Sequence, residues 1–149
     1  MNKTVFRIFF LTGLMLIGIL VSLLYASRNK GANDITCVPN NGRFIKPYCK
    51  QIDSAVYETF VVAKMWDFEP KRIYIPVNSD LEIYLTSQDI VHGYDIEHKN
   101  VKMMAMPGGI VKTTVHFDKQ GVYKVNCDQF CGDEKQKMQC EIIVCDKIN

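Results

Sequence analysis

Residues 8–25 read IFFLTGLMLIGILVSLLY, eighteen positions in a row without a charge. At about 1.5 Å of rise per residue a helix of that length spans roughly 27 Å, close to the hydrocarbon thickness of a bilayer. A cleaved leader has a similar outline, because Lys3 and Arg7 precede the run and the small residues Ala26 and Ser27 follow it. A leader's apolar region is shorter, however, at about 7–15 residues, and Tyr25-Ala26-Ser27 fits the cleavage pattern poorly. The expected element is an uncleaved membrane anchor over 1–27. Arg28 and Lys30 flank its far end, so charge orients it only weakly. Six cysteines and the lack of a second apolar run favour an extracytoplasmic, periplasmic position for the rest of a single-pass chain.

Residues 28–54 are rich in Asn, Gly, Asp, Pro and Lys with no sustained apolar period, and read as a linker containing Cys37 and Cys49. Beyond it the pattern changes. Short runs rich in β-branched and aromatic residues occur at 56–65, 72–77, 81–86, 90–96, 101–106, 111–117, 122–126 and 139–145. Turn residues separate them, in stretches such as VNSD, HKN, PGG and DKQG. Strands at roughly ten-residue spacing predict an all-β domain over 55–149, built as an antiparallel sandwich. The net charge of +2, with 18 basic and 16 acidic residues interspersed, argues against a nucleic-acid binder, which would carry a basic stripe.

Near the end of this domain stands CDQFCGDEKQKM, with Cys127 and Cys131 four apart and Met138 seven further on. Paired cysteines at that spacing suggest a metal site. Together with SQDIVHGYDI, the turn MPGG and GVYKVNCDQFCG, the stretch resembles the copper domain of subunit II of the haem-copper cytochrome oxidases. The likeness covers about residues 56–145, and one helix in front matches the shorter type of that family. It implies a cupredoxin-like Greek-key β-sandwich behind one transmembrane helix. It also implies a two-copper centre of the CuA type, which takes electrons from cytochrome c and passes them to a haem-containing subunit I.

Carried across by resemblance, the bridging thiolates are Cys127 and Cys131, one imidazole is His92 and the thioether is Met138. The backbone carbonyl of Gln129 is a weak axial ligand. Trp66, the single tryptophan, is where electrons would enter, with a buried core position as the other reading. Soft sulfur stabilises Cu(I), and imidazole suits either oxidation state.

The second imidazole falls at position 135, and this chain has Lys135 there. An amine binds copper only when deprotonated. At pH 7 that costs about 4.6 kcal/mol for a lysine of ordinary pKa near 10.4, less if burial has already depressed it. His98, at a turn, and His116, on a strand, read as surface histidines and poor replacements. Cys127 and Cys131 could also form a disulfide, and Met138 could serve as core filling. Cys140 and Cys145, five apart on a strand, face opposite sides. Two bridges from Cys37 and Cys49 to the last strand would use all four remaining cysteines.

Three functions follow from this sequence. The first is an oxidase subunit that accepts electrons through an altered copper centre. The second is a subunit of the same kind that has lost its copper, and the third is a membrane-anchored copper carrier.

Overall fold

The computed structural model describes residues 3–28, 35–39, 46–128 and 138–146. The chain divides into two units, Met1–Ala32 and Asn33–Asn149. The first holds helix α1 (Lys3–Arg28). Leu14, Met15, Leu16 and Ile17 are all well exposed. At about 100° per residue those four consecutive positions look out on nearly every side. Counting only described residues, no helix is long and apolar enough to cross a membrane. The side chain of Ile8 is outside that count, as are those of 4–6 and 26–28.

The second unit is a two-sheet β-sandwich, with eleven strands among the described residues. One sheet runs β1 (Thr36–Val38), β9 (Ile110–Phe117), β6 (Ser79–Ser87), β3 (Val56–Lys64), β2 (Tyr48–Asp53), with β4 (Asp67–Glu69) hairpinned onto β3. The other runs β5 (Arg72–Pro76), β11 (Gln139–Cys145), β10 (Gly121–Asn126), β7 (His92–Ile96), β8 (Val101–Ala105). Alternation is visible along β11, where Cys140, Ile142 and Val144 are buried and their neighbours are not. These side chains meet Val61, Ile73, Leu81, Leu85 and Phe117 in the interior between the sheets. β3 is buried on both faces, because Phe60 packs outward with Tyr84, Ile110 and Tyr48 in a second, smaller cluster.

Three expectations change. The sandwich is not wholly antiparallel: β3 pairs parallel with β6, and β5 with β11. Residues 28–54 are more than a linker, since β1 pairs with β9 and β2 with β3. Nor do Cys37 and Cys49 bridge to the last strand. None of Cys37, Cys49, Cys140 and Cys145 is in a disulfide. The first two lie on opposite edge strands of one sheet, while the other two lie on β11 in the second sheet.

β10 runs antiparallel to both β7 and β11. The end of β10 and the starts of β7 and β11 therefore meet at one end of the sandwich. The turn 106–109 lies beside that end, with the Thr86 hydroxyl donating to the Gly109 carbonyl at 2.6 Å. Gly108 sits there at φ +77°, where a side chain would be strained.

Candidate metal centre

His92, the first residue of β7, is fully buried. Its Nε2 lies 2.6 Å from Oδ1 of Asp89. Its Nδ1 is buried and has no hydrogen-bond partner among the described residues. A buried polar atom left in that state costs about 1–3 kcal/mol, so the arrangement persists only if something else compensates.

Asp89 occupies the turn between β6 and β7. Its Oδ2 accepts the Met65 N–H at 2.6 Å and its Oδ1 the Ile90 N–H at 2.6 Å. Ser87 accepts the Asp89 N–H at 3.2 Å and donates its hydroxyl proton to the Ile90 carbonyl. Burial opposes ionisation of Asp89. The hydrogen bonds from His92, Met65 and Ile90 outweigh it and hold the carboxyl down at about 2.

From the other side, Cys127 follows β10 and Met138 precedes β11. They face each other one rung beyond the Asn126–Gln139 pair, with Cys127 N–H donating to the Met138 carbonyl at 3.3 Å. Met138 is fully buried and Cys127 nearly so. β10 also pairs with β7 through Val125–Ile96 and Asn126–Asp95, so Cys127 lies one rung further toward the end that carries His92. The sandwich thus brings His92, Cys127 and Met138 to one end of one sheet. Cys127 is disulfide-bonded, its partner lying outside the described residues. Gln129, Cys131 and Lys135 also lie outside them. Among described residues no group of three or more His, Cys, Asp or Glu is placed to hold a metal ion.

Beneath these residues Tyr94 is fully buried, stacked edge-on against Phe68 at 5.2 Å between ring centres. Its hydroxyl lies 3.9 Å from the Cys140 sulfur. Burial pushes the Cys140 thiol up to about 12 and the Tyr94 phenol well above its ordinary value, so both stay protonated as neutral packing groups. Trp66 is half-buried against the core, next to Met65. His98 is exposed in a turn at φ +64°, and His116 is exposed with Nδ1 2.7 Å from Asp80. Both are far in role from His92.

Sequence reasoning missed Asp89. Its signal was the spacing in DIVH, a carboxylate three residues before a histidine, which a tight turn folds back onto the ring.

Residues 53–146 match the family described as cytochrome c oxidase subunit II, periplasmic domain. A cytochrome c oxidase subunit 2 of Thermus thermophilus is 30% identical over 88 residues, which cover 59% of this chain and 65% of that protein. For a second subunit 2 from Thermus thermophilus the match covers 52% of its length, so the chain spans only part of these relatives. Among solved structures, a chain of a heme-copper terminal oxidase dimer is 32% identical with a TM-score of 0.71. That alignment covers 95% of this chain and 99% of the other. The periplasmic domain of subunit II from Bradyrhizobium japonicum, 20% identical with a TM-score of 0.54, shares the fold over 58% of this chain and 82% of its own length. The chain belongs to the cytochrome c oxidase subunit II family.

Proposed function

We propose that this chain accepts electrons from cytochrome c at a copper centre of the CuA type and hands them to a haem-containing subunit I. The observation that carries the reading is the bare, buried Nδ1 of His92, at the sheet end where Cys127 and Met138 also stand. Imidazole nitrogen, thiolate and thioether are a donor set suited to copper in both oxidation states. Bound there, copper would supply one-electron transfer. His92, Cys127 and Met138 would hold it, joined by Cys131 and the Gln129 carbonyl. The sandwich supplies a rigid, water-poor wall on one side, because His92 and Met138 are wholly buried. Trp66 would be where electrons enter.

Because the thiolate is the ligand, the disulfide at Cys127 must be reduced before metal can bind. Lys135 favours a second reading within this one, a centre with one copper position weakened or empty. Helix α1 is proposed to anchor the chain in the membrane as a single span, with the sandwich on the periplasmic side. A helix apolar on all sides needs an apolar surround, and the likeness to the oxidase chain extends over 95% of this one.

The deciding experiment loads the full chain in detergent with copper after treatment with a dithiol reductant. Elemental analysis should find copper in the wild type and none above background in Cys127→Ser. Equal, near-zero copper in both would leave a redox-silent structural subunit. Carbonate extraction should leave the chain in the membrane, and release to the supernatant would remove the anchor.

A further inference from the structure

We propose that Asp89 is the positioning residue of the candidate centre: its carboxylate takes the proton-bearing Nε2 of His92 and so leaves Nδ1 bare for the metal. The inference rests on the copper reading above but is carried by hydrogen-bond geometry. In a neutral imidazole one nitrogen bears the proton and the other a lone pair. Which is which depends on what each nitrogen meets. Here Nε2 meets a carboxylate oxygen at 2.6 Å, and Nδ1 meets no partner among the described residues.

Asp89 can only accept in this setting. Both its oxygens already receive backbone N–H groups, from Met65 and Ile90, and backbone amides cannot reverse their role. The Nε2–Asp89 contact therefore runs from ring to carboxylate.

The same carboxylate is pinned from two directions in the chain. Ile90 belongs to the β6–β7 turn itself, whereas Met65 belongs to the turn between β3 and β4, in the sheet that holds β6 but not β7. Asp89 thus relates the ring plane of His92 to both sheets. A carboxylate behind a metal-binding histidine fixes the ring, raises its basicity and typically contributes 10–100-fold to metal affinity. Met65 immediately precedes Trp66, so that one turn serves both the carboxylate and the aromatic residue at which electrons would enter.

The test reads the tautomer without metal. Nitrogen-15 spectra of the reduced, copper-free full chain in detergent should show the His92 proton on Nε2 in the wild type. In Asp89→Ala the ring should populate both tautomers, and copper affinity should fall about 10–100-fold. Asp89→Asn keeps an acceptor oxygen and should restore the Nε2–H form and most of the affinity. Circular dichroism and the emission of Trp66 verify folding. If Asp89→Ala fails to fold, the wild-type and Asp89→Asn spectra decide. A wild-type proton on Nδ1, or an Asp89→Ala ring that keeps the Nε2–H form with unchanged affinity, overturns the proposal. A chain that shows the Nε2–H form yet takes up no copper would sink the copper function and still support Asp89 as the residue that sets the ring.

Discussion

The β6–β7 side of the candidate centre and the β10–β11 side are built differently. On the first, His92 is buried and its outer nitrogen is engaged by a carboxylate that two backbone amides hold in place. On the second, Cys127 and Met138 meet at the ends of two strands across one backbone hydrogen bond of 3.3 Å. The first side is set by the sheet before any metal arrives. The second would carry the sulfur chemistry of the proposed centre, and with it the proposed weakness at Lys135. With the imidazole fixed, loading of the proposed centre would turn on the sulfur side.

Breaking that side should therefore have the largest effect. Lys135→His exchanges an amine for an imidazole that is half neutral near pH 6.5, a gain of several kcal/mol or some three decades of affinity. Copper stoichiometry should rise, and a spin-resonance spectrum shared over two ions should replace a single-copper signal. A wild type already holding two ions with shared spin at neutral pH would show that Lys135 is no obstacle.

Next comes the floor common to both sides. Phe68→Ala empties the space against Tyr94 and should cost about 3–5 kcal/mol, measured by denaturant unfolding. A loss below about 1 kcal/mol would mean that the two sides do not share this support.

Acid should weaken the β6–β7 side first. Asp89 is depressed in the folded chain, so its contribution is present above the unfolded value near 3.9 and disappears as pH falls toward about 2. The melting advantage of wild type over Asp89→Asn should hold at pH 6 and shrink below about pH 4. A constant difference would contradict the assignment. The smallest effect belongs to Lys102, which bridges Asp95 at 2.5 Å and Asp128, beside Cys127, at 3.4 Å. Lys102 is exposed, so Lys102→Met should barely move the melting point, and any shift should vanish in high salt.

All eight sequence-read strands are present, because each is a run of alternating or wholly apolar residues that only an interior would select. β1 and β4 are three residues long, and β2, YCKQID, has one half-buried residue among six. None leaves an apolar period to read. Parallel pairing escaped for another reason. Alternation records which face of a strand is buried, not which neighbour it meets or in which direction. At the centre, His92, Cys127 and Met138 were legible as residue types, and their convergence follows from β10 lying between β7 and β11. Asp89 left only the DIVH spacing as a trace, because that spacing does not say that the turn folds the carboxylate back onto the ring.

The pairing of β5 with β11 sets a timetable for this domain. Among the described residues, 72–76 pair with no other strand, and their partner arrives with residues 141–145. While the chain is being made, β5 must wait through nearly half the sequence with one edge open. β7 likewise waits for β10, and β10 for β11, before the sheet end at His92 is complete. The β5–β11 pairing joins segments far apart in the sequence and so raises the contact order of the fold. The proposed ligands at positions 92, 127 and 138 can be presented together only once the chain has been made through position 138.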